Sequence, residues 1–295
     1  MLHAWITTAL LLGEIAVGQP NTDSVEVYYA TKDYASVVRL LENQPGVRQR
    51  EQILLGWSYY RLGNMREARD AFQAGLETYP ASLDLLNGLG FAQYRLGEPS
   101  AAEDAFRNVL ERAPHRTESK RGLAFVLFTS QRFEECLPMF NAFLRERDDD
   151  EEADYYLVKA VDGLLTEWSK QEYTPAQIVE RAWLFAADGD HRIAVEMFRW
   201  IVQAHPFHPA ARLGLGRLGP AFGYEGEALA ALESLLREDE HDQQARAALA
   251  QLHLNAGRRA DAARQIDRIL EVDPKDPQGL ALQRELAKRS GRSTP

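Results

Sequence analysis

Three things are scarce in this sequence: cysteine, positive charge and long apolar runs. A single cysteine, Cys136, excludes an intrachain disulfide and a cysteine-based zinc cluster. The 34 Lys and Arg residues are outnumbered by 44 Asp and Glu residues, which gives a net charge of −10. This balance disfavours a protein that binds nucleic acid or anionic lipid, because both ligands are held by excess positive charge. No segment beyond the N-terminus is long and apolar enough to span a membrane.

The sequence also lacks the short motifs that mark common active sites. It contains no Gly-rich phosphate loop, no HExxH, no GxSxG and no Cys-x-x-Cys. We therefore expect no enzyme and no cofactor. His205 and His208, in AHPFHP, could hold a metal ion, but no third ligand is evident in the sequence. An ordinary surface loop between helices is the favoured interpretation of this motif.

The acidic run RERDDDEEAD admits two interpretations. Asp148, Asp150 and Glu152 alternate as calcium ligands do, but no glycine follows at the sharp turn. Lys159 stands where a bidentate glutamate would close an EF-hand loop. Acidic residues before a helix favour its positive end, and one of them can cap it. We therefore expect a helix cap and no metal.

The first twenty residues, MLHAWITTALLLGEIAVGQP, differ from the rest. The apolar run Ala4–Leu12 and the small residues Ala16 and Gly18 are typical of a secretory signal peptide cleaved after Gly18. However, no Lys or Arg precedes the run, and Glu14 interrupts it. The alternatives are a frayed N-terminal helix or a mis-set start codon. We expect residues 1–18 to be a signal peptide and the protein to be periplasmic or secreted, with a cytoplasmic location as the alternative.

One short phrase recurs along the chain. LLGWSYYRLGN at residues 54–64 returns as GLGFAQYRLGE at residues 88–98, which is 34 residues later. Small residues recur at this interval at Gly56, Gly90, Ala124, at Ala68, Ala102, Cys136, at Ala182, Gly216, Ala250 and at Ala194, Ala228, Ala262. Large apolar residues follow at Phe72, Phe106, Phe140, Phe198, Leu232 and Ile266, and turn glycines stand at Gly63, Gly97, Gly189, Gly223 and Gly257.

Each 34-residue unit is typical of two antiparallel helices. Apolar residues recur at helical spacing in each half, and the glycine between the halves suits a turn with positive φ. The two small residues allow the helices to approach closely, while the large residue fills the groove opposite. Cys136 occupies a small-residue slot, so we interpret it as a packing residue.

These residues and this spacing resemble the tetratricopeptide repeat family over most of residues 25–288. The family's first aromatic slot is not kept, because Gln52 and Leu86 stand there. The resemblance implies an all-α, right-handed solenoid of about seven antiparallel helix pairs. It also implies that Pro277–Lys288 is a C-terminal capping helix, which covers the end of the stack. We expect residues 289–295 to be a disordered tail.

The period breaks once, near the middle. Gly97 and Gly189 are 92 residues apart, ten fewer than three periods of 34. The deficit falls in residues 151–174, where a helix is readable from Ala153 to about Leu165. We expect a degenerate repeat and a hinge at 148–174, between an N-terminal array at 25–147 and a C-terminal array at 175–288. The alternative is a short, irregular second helix that keeps the superhelix unbroken.

The resemblance implies that the first helices of the units line a concave, partner-binding surface. The side chains it places on or beside that surface are Trp57, Tyr60, Arg61, Asn87, Phe91, Tyr94, Arg95, Arg121, Phe125, Phe128 and Trp183. Aromatic rings and arginine dominate interface energetics, so we expect a ligand with apolar anchors and some negative charge. The alternative is that these rings only pack between units.

The family's carboxylate clamp is not expected here. Trp57 and Phe91 stand in its asparagine-type slots and Ile53 in its first lysine-type slot.

We predict a non-catalytic scaffold or adaptor that binds a protein partner as an extended peptide or a helix, in envelope assembly or secretion. A secretion chaperone for apolar segments and an enzyme with a site near the repeat break are the alternatives. We expect no nucleic-acid partner and no membrane insertion after signal cleavage.

The small-residue slots give a first test of the repeat assignment. Ala68→Leu or Ala102→Leu should unfold at least its own unit, because three extra carbons overpack the helix interface, typically at about 1–3 kcal/mol or more. Thermal denaturation followed by circular dichroism measures the effect. A wild-type melting temperature in both variants would contradict the assignment.

Overall fold

The computed structural model describes residues 22–291, and the side chains of residues 24–289. The expected signal peptide at 1–18 lies outside this range. Within it the chain forms sixteen α-helices, one short 3-10 helix and no strand, so the expected all-α class is confirmed. The chain divides into two compact units between Val126 and Leu127.

Helix bounds follow the 34-residue period closely. The helices that begin before the division are α1 Thr22–Ala30, α2 Tyr34–Leu41, α3 Gln49–Leu62, α4 Met65–Thr78, α5 Leu83–Arg95, α6 Pro99–Arg112 and α7 Thr117–Thr129. Those after it are α8 Phe133–Leu144, α9 Glu151–Lys170, α10 Pro175–Ala187, α11 His191–Ala204, α12 Pro209–Leu218, the 3-10 helix Gly219–Phe222, α13 Glu225–Glu238, α14 Gln243–Asn255, α15 Arg259–Val272 and α16 Pro277–Gly291.

Turns inside the helix pairs use the left-handed backbone that the glycine spacing predicts. All five predicted turn glycines have positive φ, from +73° at Gly257 to +85° at Gly63. The fourth helix pair has no glycine in this slot: Gln131, 34 residues after Gly97, takes φ +58° instead. A side chain in this conformation costs about 1–2 kcal/mol, so the turn geometry is imposed by the packing of the helices on either side.

Helices pack against their neighbours in sequence and also against the helix two places away. In the first unit the second kind of contact joins α1 to α3 and α3 to α5, so these helices form one layer. In the second unit it joins α10, α12, α14 and α16 in the same way. We call these layers, together with α7, the inner helices. Their numbers change from odd to even because α9 has no partner helix.

Large apolar side chains lock the two layers together. Phe72 of α4 is fully buried between the inner helices α3 and α5. A Cβ atom added to Gly56 of α3, or to Gly88 of α5, would lie 2.4 Å from the Phe72 ring. Phe106 is held in the same manner between Gly90 and Gly122, at 2.9 and 2.3 Å. Phe72 and Phe106 are therefore each clamped by glycines on both sides.

Large apolar residues pack against glycines in the second compact unit as well. Phe198 lies 2.6 Å from a Cβ placed on Gly214, and Leu232 lies 2.4 Å from one placed on Gly216. Cys136 is fully buried, and burial raises the pKa of its thiol to about 12. A thiol in this state packs like a small apolar group.

The segment 148–174 forms a single helix. Helix α9 spans twenty residues and is followed by only a turn before α10, so the alternative of a short second helix does not occur. Asp150 caps α9 by accepting a hydrogen bond from the Ala153 amide at 2.8 Å, as the capping interpretation of the acidic run predicted. Helix α9 packs on α8 and α11, and the division between compact units falls earlier, within α7. A hinge at 148–174 stays a prediction.

The C-terminal helix is longer than expected. Helix α16 runs to Gly291, so residues 289–291 belong to it and not to the tail expected at 289–295. The extension is held by Arg289, whose guanidinium donates to the Leu254 carbonyl and to Glu285. Residues 292–295 lie outside the described range.

Residues 22–291 contain neither a candidate membrane span nor a candidate metal-ligand cluster. None of these helices combines the length and the apolar character needed to cross a membrane. In this part of the chain, no three His, Cys, Asp or Glu side chains are grouped to hold a metal ion.

Gly223 and Gly226 form a matched pair for testing the turn. Neither has an atom within 4 Å of an added Cβ, but Gly223 has φ +84° whereas Gly226 lies in α13. Gly223→Ala should destabilise the protein by about 1–2 kcal/mol through backbone strain. Gly226→Ala should stabilise it by about 0.5–1 kcal/mol through helix propensity. Urea denaturation compares the two, and equal shifts would contradict the assigned turn geometry.

Candidate partner-binding groove

A cavity of about 350 Å³ opens on the inner helices of the first unit. Its walls come from α1, α3, α5 and α7. The lining residues are Tyr29, Trp57, Tyr60, Arg61, Asn87, Phe91, Glu118 and Arg121. We call this cavity the aromatic groove. Six of these eight residues are among those that the sequence predicts for the binding surface.

The repeat itself brings these side chains together. Trp57 and Phe91 are 34 residues apart, as are Asn87 and Arg121, so each pair occupies one slot on successive inner helices. Trp57 and Tyr60 lie one helical turn apart, with ring centroids at 5.2 Å in an edge-to-face arrangement. Trp57 and Phe91 meet across the two helices at 5.8 Å.

The aromatic residues Trp57 and Phe91 also contact the large apolar residue of their own 34-residue repeat. Trp57 packs edge-on against Phe72 at 5.5 Å, and Phe91 against Phe106 at 4.9 Å. Trp183 repeats this contact in the second unit, where it lies 4.9 Å from Phe198. This contact spans fifteen residues each time, so it joins the two helices of one pair.

Exposure separates the rings into two classes. Phe91 and Phe125 are 8% and 6% exposed, so they form the floor of this surface and support the fold. Trp57, Tyr60 and Tyr94 are half-buried, so part of each ring faces solvent. The sequence analysis left open whether these aromatic rings bind a partner or only pack between repeats. The structure shows rings of both kinds, since Phe91 and Phe125 are buried whereas Trp57, Tyr60 and Tyr94 are partly accessible.

Arginine side chains surround the accessible rings. The Arg95 guanidinium lies 5.8 Å from the Tyr60 ring centroid, and that of Arg121 lies 4.8 Å from the Phe125 ring. Burial raises the pKa of Tyr29, while the charge and the hydrogen bond of Arg61 oppose the shift. The groove lining carries two positive charges, on Arg61 and Arg121, although the whole chain carries −10. Glu118 is the acidic residue of its lining.

Asn87 adds a polar group to the groove wall. Its side-chain oxygen accepts a hydrogen bond from the buried Ser119 hydroxyl at 2.7 Å. This bond fixes the orientation of the amide and leaves its nitrogen as a donor. Such a donor can pair with a backbone carbonyl of a bound peptide.

The remaining predicted residues lie elsewhere. Tyr94 and Phe125 contact each other at 6.3 Å in the first unit but do not line the groove. Phe128 belongs to the second unit and packs edge-on against Phe133 and Tyr156, at 5.7 and 5.0 Å. Trp183 also lies in the second unit. A partner-binding role for all of these residues stays a prediction.

Two lining residues were missed at the sequence level. Tyr29 lies near the end of α1. Glu118 stands 34 residues after Asp84, which does not line the cavity. At the 34-residue spacing Tyr29 corresponds to the turn residue Gly63, so repeat spacing gave no signal for either lining residue.

The second unit has a cavity on its inner helices too, of about 420 Å³. Its lining includes Gly216, Arg217, Ala247, Gln251 and Asn255 and contains no aromatic ring. It is larger than the aromatic groove. However, it offers few of the side chains that dominate interface energies, so the aromatic groove is the stronger candidate.

The two histidines of AHPFHP have a structural arrangement. His208 Nδ1 accepts a hydrogen bond from the Ala211 amide at 3.3 Å and so caps α12. Burial and the neighbouring His205 lower the pKa of His208. The surface-loop interpretation describes this turn.

Comparison with known families gives a consistent result. One family model, described as tetratricopeptide repeat, matches residues 53–117, 89–151 and 179–223, and a second of the same description matches residues 226–286. Together the matches cover more than half of the chain. The chain belongs to the tetratricopeptide repeat family. Among curated proteins, none matches the sequence.

Several solved tetratricopeptide repeat structures are similar to this chain. A repeat protein from Parabacteroides merdae is 14% identical, with 90% of this chain and 96% of that chain covered and a TM-score of 0.39. YrrB, described as having an unusual peptide-binding site, is 16% identical, with coverage of 73% and 99% and a TM-score of 0.33. The first repeat domain of Spaghetti (RPAP3), bound to the HSP90 peptide SRMEEVD, is 22% identical, with coverage of 41% and 99% and a TM-score of 0.37.

Phe91 and Tyr60 should respond differently to truncation. Phe91→Ala removes a buried ring that contacts Trp57 and Phe106, so it should destabilise the protein by about 3–5 kcal/mol. Tyr60→Ala removes a half-buried ring at the cavity wall and should cost about 1 kcal/mol. Urea denaturation followed by circular dichroism measures both. Equal losses would contradict the division of these rings into floor and accessible wall.

Proposed function

We propose that this tetratricopeptide repeat protein is a scaffold whose aromatic groove holds a peptide segment of a partner protein. The fold is consistent with a protein–protein interaction scaffold, and members of this family are generally non-catalytic. The observation that carries the proposal is the cavity of about 350 Å³ that joins half-buried aromatic rings to Arg61 on four inner helices.

The groove chemistry defines the kind of peptide. Trp57 and Tyr60 offer ring surface to an aromatic or large aliphatic anchor, which gains most by leaving water. Arg61 is exposed and can pair with a carboxylate of the partner. The amide of Asn87 can donate to the peptide backbone. The expected ligand therefore has an apolar anchor beside an Asp or Glu residue.

The compartment is part of the proposal. The apolar run Ala4–Leu12 followed by small residues supports export, so we place the scaffold in the periplasm or outside the cell. There it would hold a component of envelope assembly or secretion. A chaperone for apolar segments would instead bind many unrelated apolar peptides and show no preference for an acidic neighbour.

Peptide display tests this function directly. A random peptide library selected on the purified protein should yield sequences that share an aromatic or large aliphatic residue and a nearby Asp or Glu. Affinities of selected peptides are then measured by fluorescence anisotropy. Arg61→Glu should weaken binding about tenfold through lost pairing and charge repulsion, and Tyr60→Ala by a similar factor.

Arg66→Glu is the matched control, because Arg66 is exposed on α4 and does not line the groove. Peptides that bind the two groove variants as tightly as they bind the control would overturn the proposal. Selection of apolar peptides with no acidic preference would favour the chaperone instead.

A further inference from the structure

The most exposed large apolar side chain described in the second unit is Phe207. It is 78% exposed, compared with 58% for Tyr155 and 62% for Val272. It lies in the turn between α11 and α12, with Pro206 before it and His208 after it. Burying an aromatic ring of this size contributes strongly to association.

The turn that carries Phe207 is firmly held. The guanidinium of Arg212, which is 1% exposed, donates to the Phe207 carbonyl at 3.0 Å. The same group bonds both carboxylate oxygens of Glu238, at 2.9 and 2.7 Å. His208 caps the next helix, and its amide donates to the His205 carbonyl at 3.0 Å. The ring is thus presented on a preorganised backbone, which reduces the entropy lost on binding.

Acidic side chains are linked to the backbone of this turn. Glu238 is joined to the Phe207 carbonyl through Arg212, yet 49% of its side chain is exposed. The Arg212 hydrogen bonds lower the pKa of Glu238, so its carboxylate stays ionised at neutral pH. Asp239 and Glu240 follow it at the end of α13, and both are exposed. The surface therefore presents an apolar anchor beside negative charge.

This is the ligand chemistry that the aromatic groove selects. The groove offers half-buried rings of Trp57 and Tyr60, and Arg61 at its edge. An apolar knob on one surface and a complementary pocket on another allow copies of one chain to associate head to tail.

We propose that the Phe207 turn of one molecule docks in the aromatic groove of a second copy. Phe207 packs against the accessible faces of the Trp57 and Tyr60 rings, and the acidic residues around Glu238 face Arg61. Because knob and groove are different surfaces, the contact is heterologous, and a pair of molecules keeps one free knob and one free groove for further copies. The proposal rests on the groove's proposed function, and it makes a partner peptide a competitor of self-association.

Sedimentation velocity of the purified protein over a concentration series tests the proposal. The wild type should show a mass that rises with concentration. Phe207→Ala should weaken association about 30-fold or more, as loss of a hot-spot aromatic does. Tyr60→Ala, which damages the groove, should weaken it similarly. Val272→Ala, which truncates another exposed apolar residue, should behave as wild type.

Mixing Phe207→Ala with Tyr60→Ala tests whether the knob of one copy docks in the groove of another. Phe207→Ala keeps an intact groove and Tyr60→Ala keeps an intact knob, so an equimolar mixture should form a one-to-one dimer that neither forms alone. A wild type that stays monomeric, a Phe207→Ala variant that associates as wild type, or a mixture without dimer each overturns the proposal.

Peptide binding separates this outcome from failure of the scaffold function. Peptides selected on the wild type should bind Phe207→Ala at least as tightly, because its groove is intact and no knob competes for it. If they bind while the wild type stays monomeric, only the self-association proposal fails. If no peptide binds and the protein stays monomeric, both proposals fail.

Discussion

The close packing of one large apolar side chain between small residues of two inner helices determines the rest of this structure. Phe72 lies where Gly56 and Gly88 have no side chain, and any Cβ at either position would overlap the ring. The second helix of a pair is thereby drawn against its own inner helix and the next one at once. Because Phe106 makes the same contact with Gly90 and Gly122, glycines set the spacing of these inner helices.

The candidate binding surface depends on that contact. Trp57 and Phe91 rest on Phe72 and Phe106, the same rings that lock the two layers. The locking ring therefore acts as a support that fixes the orientation of the slot aromatic above it. A groove supported in this way is preorganised, since its rings lose little freedom when a ligand arrives. The cost is that fold and site share residues, so Phe91 cannot be altered for binding without loss of stability.

The 34-residue spacing was sufficient to predict the helix-pair architecture, because it reflects helix-packing contacts that are local and recur along the chain. Gly63 serves the turn of its helix pair, and Phe72 contacts its own inner helix and the next one; both recur along the chain, so the period reveals them. Six of the eight groove residues could be predicted because the family resemblance places side chains of the first helices on a binding surface. The exposure of these side chains could not be predicted. The ring of Phe91, for example, is buried partly by Phe106, which lies fifteen residues away on the next helix. Nor could periodicity reveal Arg212, which occurs once and is buried through partners in the preceding turn and in α13.

The slot of Trp57 changes character along the chain, and this change bears on function. In the first unit it holds Trp57, Phe91 and Phe125, whereas at the same spacing the second holds Trp183, Arg217 and Gln251. Both units keep the small residues and the large locking residue, so helix packing does not require aromatic rings in this slot. Leu232 is fully buried against Gly216, in a unit whose slot holds Arg217. Helix packing therefore does not by itself require an aromatic ring in this slot, and the peptide binding that we propose would give the accessible ring of Trp57 a function.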